Sequence, residues 1–192
     1  SRSLGMEFAT AAFHNSYYFH KDDNVITNKE EVCGDFEKLI NLQLKEKHPK
    51  SWMRAFFNMG LINYIEGSRR MLPCQAGEMN FFVEPYGDIY PCNGLEKKYW
   101  KKSMGNIRET PNFKEIWEGE QAEQVRQMVR RCPKNCWMVG TASPVMHKYI
   151  KYPLKWALKN KLRSLQGKTA CLDKCWYNVG QDPSQGDLRD VF

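Results

Sequence analysis

The spacing of four cysteines constrains this chain more than any other feature of its sequence. Cys74 and Cys92 bracket the stretch CQAGEMNFFVEPYGDIYPC, which has the form C-x12-G-x4-C. Cys132 and Cys136 follow as a C-x3-C pair in CPKNCW. Four thiolates are the usual ligand complement of a [4Fe–4S] cluster. The spacing therefore predicts that folding gathers the four sulfur atoms around one inorganic centre.

The segment between the first two cysteines has the pattern of a β-hairpin. NFFVEPYGDIYP alternates large apolar and small polar residues around the sequence E-P-Y-G. Pro85 presets the turn dihedral, and Gly87 accepts the positive φ that other residues resist. Gly77 allows the chain after Cys74 to curl back. We therefore expect the hairpin to bring Cys74 and Cys92 to the same end.

Several short motifs accompany this spacing over roughly residues 70–140: PCNG after the hairpin, GN at Gly105–Asn106, FKEIW at Phe113–Trp117, and CPKNCW. Together they resemble the twitch/SPASM extension at the C-terminus of radical SAM enzymes. The two-cluster form of that extension carries C-x2-C-x5-C-x3-C after the gap and one further cysteine. This chain has only C-x3-C there, so it resembles the shorter, one-cluster twitch form. The resemblance implies one auxiliary [4Fe–4S] cluster, held by Cys74, Cys92, Cys132 and Cys136.

The resemblance also implies a fold class and a division of the chain. The expected class is α+β, in which the end of a partial (β/α) barrel precedes a twitch/SPASM-like domain with a β-hairpin and helices around the cluster. Residues 1–69 would contribute the last strand and helices of the barrel. Residues 70–140 would form the cluster domain, and residues 141–192 a basic helix and a polar tail that ends in QDPSQGDLRD.

Local patterns predict the elements of the first part. A strand-like run covers residues 6–19 and ends in a polar turn at Lys21–Asn24. The sequence T-N-K-E at residues 27–30 has the form of a capping box and predicts a helix start there. That helix should end before Pro49, and a second should run from about Ser51 to a cap at Gly67.

A third helix is predicted inside the cluster domain, from about Asn112 to Arg131. Its apolar residues recur at helical spacing. They are Phe113, Ile116, Trp117, Val125, Met128 and Val129.

The catalytic motif of radical SAM enzymes is missing from the sequence. Those enzymes hold their SAM-cleaving cluster with C-x3-C-x2-C, and no three cysteines here have that spacing. The chain opens with Ser1-Arg2. The resemblance implies that it is the C-terminal portion of a longer enzyme and that this portion is not catalytically complete alone. S-adenosyl-L-methionine and a second [4Fe–4S] cluster are expected only in the full-length parent. The expected partners of this chain are the missing barrel, a peptide or small-molecule substrate, and a reductase or ferredoxin/flavodoxin.

Two roles follow for the auxiliary cluster, and one rival reading stays open. The cluster would transfer electrons or close the substrate pocket, with burial against Phe81, Phe82, Trp117 and Trp137 tuning its potential. The alternative is a stand-alone zinc module that binds an acidic partner through a basic helix, because tetrahedral thiolate sites also hold zinc. Zinc modules mostly use short cysteine knuckles, whereas a whole hairpin separates the first two cysteines here.

The other three cysteines have weaker assignments. Cys33 lies on the apolar side of the first helix and is expected to be a core residue. Cys171 and Cys175 repeat the C-x3-C spacing in CLDKC. They remain candidates for extra ligands, a redox pair or ordinary thiols.

Positive charge is concentrated in residues 144–168, which contain seven Lys and Arg and no Asp or Glu. The same segment has Leu154, Leu158, Leu162 and Leu165 at helical spacing, and Pro153 is expected to break or kink the helix. Two readings are open: a basic amphipathic helix that docks on an acidic partner, a leader peptide or a membrane surface, or a terminal helix packed by its leucines with a solvated lysine face. No nucleic-acid recognition motif accompanies the charge.

Two histidines lie near the N-terminus in FHNSYYFH. His14 and His20 are six residues apart and would share one face of a strand. With Asn15 and Asn24 they would stand at a barrel rim, where ligand-binding residues collect. Contact with substrate or SAM and hydrogen bonding to structural neighbours are the two alternatives.

Cysteine usage and hydropathy limit the cellular setting. Seven cysteines is an odd number, which disfavours a set of paired disulfides in a secreted protein. No signal peptide and no apolar run long enough to span a bilayer is evident in the sequence. Thiolate ligands and an oxygen-sensitive cluster fit a reducing compartment, so we expect a cytoplasmic location.

Overall fold

A computed structural model describes residues 9–16, 19–21, 23–94 and 102–172. Its elements form two groups, a set of long helices and a small sheet with two shorter helices. In chain order they are α1 (Lys29–Lys45), α2 (Pro49–Ile65), β1 (Phe82–Val83), β2 (Asp88–Tyr90), β3 (Gly105–Asn106), α3 (Phe113–Glu118), α4 (Glu120–Arg130), α5 (Val139–Lys148) and α6 (Lys151–Leu165). The described residues thus have the α+β composition predicted.

The long helices α1, α2 and α6 pack against one another around the larger core. Its fully buried side chains include Phe56, Leu61, Trp137 and Trp156. Cys33 packs against this core from α1, as predicted. Because Trp137 directly follows Cys136, the cysteine-bearing loop is anchored in the same core.

Helix α1 does not begin with the predicted capping box. Asn28 is the N-cap residue, and no side chain caps the first amides of the helix. The Asn28 side-chain amide instead donates to Glu31 Oε2 at 3.0 Å. The helix therefore starts one residue later than a Thr27 cap would require, and Glu30 is left outside the capping interaction.

Helix α2 ends as the sequence predicts. Gly67 has a φ of 75°. Its N–H donates to the Tyr64 carbonyl and the Ser68 N–H donates to the Asn63 carbonyl, each at 3.0 Å. This pair of bonds is the Schellman arrangement, which satisfies the last carbonyls of a helix and needs a left-handed residue. The chain then turns towards Cys74.

The predicted hairpin is present as β1 and β2. The strands are antiparallel, with Phe82 opposite Tyr90 and Val83 opposite Ile89. Gly87 has a φ of 95° in the connecting turn. The Gly105–Asn106 pair adds β3 antiparallel to β2, which gives a three-stranded sheet in the order β1-β2-β3.

The predicted third helix is divided in two. Gly119 has extended dihedrals and separates α3 from α4. The predicted apolar residues still cluster: Ile116 and Val125 join Ile89 and Met104 in a second core, against which Phe113, Trp117 and Met128 pack. Helical periodicity located the apolar face but not the break, because a glycine tolerates either backbone conformation.

The basic segment also forms two helices, but Pro153 does not separate them. Tyr149 and Ile150 lie between α5 and α6, and Pro153 is buried in the first turn of α6. A proline is tolerated there because the first amides of a helix have no intrahelical acceptor. The predicted packing by leucines is wrong, since all four are exposed and α6 instead buries Pro153, Trp156, Ala157 and Asn160.

The barrel assigned to residues 1–69 stays a prediction. In the described residues 9–16, the run expected to form a strand makes only one isolated bridge, between Ser16 and Lys21. The polar tail and Cys175 lie outside the described residues. Among the described helices, none has the length and apolar content needed to cross a bilayer.

Candidate metal centre

Three segments of the chain bring the four predicted cysteines to one cavity. Cys74 lies between α2 and the hairpin, Cys92 follows β2, and Cys132 and Cys136 lie in the loop between α4 and α5. All four line the same small cavity. The remaining lining residues are Arg70, Ala76, Gly94, Val129, Lys134, Met138 and Thr141.

The four thiols are close enough to influence one another's ionisation. Burial raises the pKa of Cys92 to about 12, and the charges of Cys74, Cys136 and Cys132 act in the same direction. Burial also raises the pKa of Cys132 to about 11 and the pKa of Cys136. These three groups are therefore protonated thiols at neutral pH in the metal-free protein. Because thiolates are the metal ligands, metal binding must release protons here.

Backbone amides already point at two of the sulfur atoms. The Gly94 N–H hydrogen-bonds to the Cys92 sulfur and the Lys134 N–H to the Cys132 sulfur, and each bond opposes the rise in that cysteine's pKa. Gly94 also lies close to Cys136 and Met138, which line the cavity opposite it. A Cβ there would lie 3.1 Å from Met138 Cε and 3.9 Å from Cys136 Sγ. A larger residue at 94 would thus crowd the space between the ligand loops.

A buried arginine joins the two sides of the cavity. Arg70 is 6% exposed. Its guanidinium donates to three backbone carbonyls, those of Leu72 at 2.9 Å, Cys136 at 2.6 Å and Thr141 at 3.2 Å. Leu72 lies just before Cys74, whereas Cys136 lies in the loop after α4 and Thr141 lies in α5. Arg70 thus connects the Cys74 segment to the Cys136 segment. Arg70 was not predicted as a site residue, because nothing in the local sequence distinguishes it from the neighbouring Arg69.

The loop between the last two cysteines makes its own cross-links. Lys134 Nζ donates to the Gly94 carbonyl at 2.9 Å, which connects this loop to the segment after Cys92. The Asn135 side-chain amide donates to the Ser68 carbonyl at 2.9 Å, beyond the end of α2. The position of the C-x3-C pair is thus determined by residues between the cysteines as well as by the cysteines themselves.

The segment that carries Cys74 is held to α4. Gly77 has a φ of 78°, as its predicted role requires. Arg126 Nε donates to the Gly77 carbonyl at 2.8 Å, and the same guanidinium donates to the Trp117 carbonyl. Glu78 forms ion pairs with Arg130 of α4 at 3.3 Å and Lys148 of α5 at 3.6 Å.

Trp137 fixes the far end of the loop. Its indole is 1% exposed, and Nε1 donates to the Phe57 carbonyl of α2 at 2.9 Å. Gly60, one turn further along α2, makes room for the ring. A Cβ at position 60 would lie 2.1 Å from both Cε2 and Nε1 of the indole.

The two candidate histidines have different environments. His14 Nε2 accepts the Trp137 backbone N–H at 3.1 Å, so the proton resides on Nδ1, which lies 2.8 Å from the Ala12 carbonyl. The ring stacks on Tyr64 at 4.0 Å between centroids. Burial raises the pKa of Tyr64 to about 12, with Cys136 adding to the rise. His14 thus bonds to structural neighbours, whereas His20 is exposed in a turn.

Asn15 and Asn24 also bond within the N-terminal segment. The Asn24 backbone N–H donates to Asn15 Oδ1, and the Asn24 side-chain amide donates to the His14 carbonyl, each at 3.1 Å. These bonds hold the backbone around His14, whereas the prediction placed Asn15 and Asn24 with the two histidines at a barrel rim.

Acidification is expected to weaken the fold through His14. Burial is the largest cause of its lowered pKa, and Lys134 and Arg70 lower it further. In the unfolded chain His14 therefore takes up a proton at a pH near its ordinary pKa of 6.5, whereas in the folded chain it takes up the proton only at lower pH. The contribution of neutral His14 to stability is present above that pH and declines as the pH falls through and below it.

Urea unfolding of the wild type and His14→Asn across this pH range measures the effect. Asparagine retains a hydrogen-bond acceptor but does not titrate, so the difference between the two proteins isolates His14. A stability difference that stays constant with pH would contradict the expectation.

Two other described cysteines and the four aromatic residues predicted around the cluster are absent from the cavity lining. Cys33 and Cys171 do not line the cavity. The Cys171 carbonyl accepts from Trp156 Nε1 at 3.2 Å, which places this residue against α6. Phe81, Phe113 and Trp117 form an aromatic cluster with Phe81 exposed. Besides the four cysteines, the lining consists of small, aliphatic and methionine side chains, one threonine and two cationic side chains.

The donor chemistry of the cavity suits an iron–sulfur group. Four cysteine sulfurs are the ordinary ligands of such clusters, and the cavity wall supplies two cations that offset thiolate charge. Within the described ranges, no three His, Cys, Asp or Glu side chains converge on the position of a single metal ion.

Comparison with known families identifies this part of the chain. Residues 74–138 match the family model described as SPASM, an iron–sulfur cluster-binding domain. The matched segment begins at the first predicted ligand and ends two residues after the last. These residues are therefore a SPASM/twitch-type auxiliary domain of the kind found in radical SAM enzymes. Searches of curated proteins and of solved structures returned no significant match to the chain.

Proposed function

We propose that Cys74, Cys92, Cys132 and Cys136 together hold one auxiliary [4Fe–4S] cluster. The observation that carries this proposal is the shared cavity, which all four line and which Cys33 and Cys171 do not reach. The SPASM match supports iron–sulfur binding over the same residues. When bound, such a cluster supplies one-electron transfer.

The residues around the cysteines are suited to hold this group at a defined potential. The Gly94 and Lys134 amides donate to sulfur, which stabilises thiolate over thiol. Arg70 and Lys134 place positive charge at the cavity wall. Hydrogen bonds to sulfur and nearby charge are established determinants of cluster potential.

In this proposal the domain serves a radical SAM enzyme by electron transfer and by closing its substrate pocket. The SAM-cleaving barrel, its own [4Fe–4S] cluster, a peptide or small-molecule substrate and a reductase or ferredoxin/flavodoxin donor complete the system. A cytoplasmic setting belongs to the same proposal. A polypeptide with C-x3-C-x2-C in the same reading frame upstream would supply the missing catalytic cluster.

Alanine substitution of single cysteines tests the ligand set. After anaerobic purification, the Cys92→Ala protein is expected to lose the brown charge-transfer absorption and most of its bound iron and sulfide. Cys74→Ala, Cys132→Ala and Cys136→Ala should behave alike, because loss of one thiolate leaves an iron without its protein ligand. Iron, acid-labile sulfide and zinc are measured per chain.

Cys33→Ala is the matched control, since it removes a partly buried thiol that lies outside the cavity. It should retain the full complement of iron and sulfide. Full iron in Cys92→Ala would refute the ligand assignment. Stoichiometric zinc without sulfide in the anaerobic wild type would instead establish the zinc module considered above.

A further inference from the structure

Helix α6 has two apolar faces, and only one of them is buried. Trp156, Ala157 and Asn160 face the core with α1 and α2. On the opposite side lies what we call the leucine stripe: Leu154 (44% exposed), Leu158 (46%), Leu162 (61%) and Leu165 (72%). At 100° per residue these four lie on one side of the helix.

The orientation of α6 is fixed by contacts on its buried side. Asn160 Oδ1 accepts the Cys171 N–H at 2.6 Å, and Trp156 Nε1 donates to the Cys171 carbonyl. Lys161 Nζ donates at 2.8 Å to the carbonyls of Leu44 and Glu46, at the C-terminal end of α1. Rotation that turned the leucine stripe inward would break all of these bonds, so the stripe faces away from the core formed by the described helices.

On α6 itself, the charged side chains beside the stripe are all positive. Lys151, Lys155 and Lys159 are exposed and recur every four residues along one flank of the leucines. No Asp or Glu occurs between residues 144 and 168. A surface that covers the leucines therefore meets cations at its edge, which favours an anionic partner.

A second copy of this chain is a poor match for the stripe. An antiparallel pair of α6 helices would bring their lysine rows together, and like charges destabilise such a contact. A parallel pair would leave each lysine row without an acid on the facing helix. An anionic bilayer can accommodate both the exposed leucines and the lysines beside them. Leucines on a convex helix reach the headgroup–acyl boundary, while lysine stems extend along the apolar surface and keep their ammonium groups at the phosphates.

We propose that α6 binds the surface of anionic membranes, lying in the plane of the interface with its leucine stripe inserted. The helix of 15 residues is about 22 Å long, so its four leucines can enter the interface together. Membrane binding by α6 does not require the four cysteines or a bound cluster.

Vesicle flotation of the full chain tests the proposal. Phosphatidylcholine vesicles with and without phosphatidylglycerol are compared at low and high salt. Binding is expected only with the anionic lipid, and it should weaken as salt rises. Leu158→Ser/Leu162→Ser should lower the partition coefficient about tenfold or more, because two inserted side chains are lost. Lys155→Gln/Lys159→Gln should weaken binding and flatten its salt dependence.

Leu42→Ser is the matched control, because Leu42 is also an exposed leucine (60%) but lies on α1. It should bind like the wild type, and far-ultraviolet circular dichroism checks that each variant is folded. Equal binding to both vesicle types, or unchanged binding by the leucine variant, overturns the proposal. Binding to a soluble acidic peptide without binding to vesicles also overturns the membrane proposal and assigns the stripe to an acidic peptide. A dimer in solution that the leucine variant dissociates overturns it as well and assigns the stripe to a second copy of the chain.

Discussion

Replacing Arg70 with methionine is expected to destabilise the protein by about 3–5 kcal/mol, since several charge-assisted hydrogen bonds in a buried site are lost together. Arg70 donates to the carbonyls of Leu72, Cys136 and Thr141. Methionine fills part of the volume but leaves these acceptors without their donor. For a chain of this size the loss corresponds to a decrease in Tm of roughly 10 °C.

Thermal unfolding of the metal-free protein measures this effect without involving the cluster. Arg131→Met is the control, because Arg131 is exposed at the end of α4 and the substitution removes the same charge. It should change Tm little. Arg70→Lys should recover only part of the loss, since an ammonium group lacks the planar fork that reaches three separate carbonyls. Equal Tm values for Arg70→Met and Arg131→Met would contradict the bridging role.

Gly60→Ala is expected to destabilise the protein by about 3 kcal/mol, although alanine is normally the better helix residue. The added methyl would lie 2.1 Å from two atoms of the Trp137 indole. That ring is rigid, buried and hydrogen-bonded to Phe57, so either the ring or α2 must move. Since Trp137 follows Cys136, the shift should also lower the iron retained after anaerobic reconstitution.

Gly34→Ala gives the comparison with opposite sign. Gly34 lies within α1, and a Cβ there would meet nothing within 4 Å. The substitution should stabilise the protein by roughly 0.5–1 kcal/mol through the backbone entropy of the unfolded chain. Urea unfolding compares the two variants directly. Stabilisation by Gly60→Ala would show that the contact with Trp137 relaxes at little cost.

Several features were predictable because adjacent residues encode them. The E-P-Y-G turn and its alternating flanks specify β1 and β2, and Gly67 specifies the end of α2. Errors arose where local signals compete. A capping-box sequence did not cap α1, and a glycine split a continuous apolar pattern into α3 and α4. Each such choice depends on packing that lies elsewhere in the chain.

Cysteine spacing, turn chemistry and the resemblance to the twitch/SPASM extension together selected the four thiols that line one cavity. Cysteine spacing and the hairpin turn could be used in this way because they are properties of short segments. The tertiary structure decided what holds those thiols in place. Arg70 meets Cys136 and Thr141 across more than sixty residues of chain, and His14 meets Trp137 across more than one hundred. It also decided which face of α6 is buried. That helix has apolar residues on two sides, and only its contacts with α1 and α2 determine which side solvent can reach.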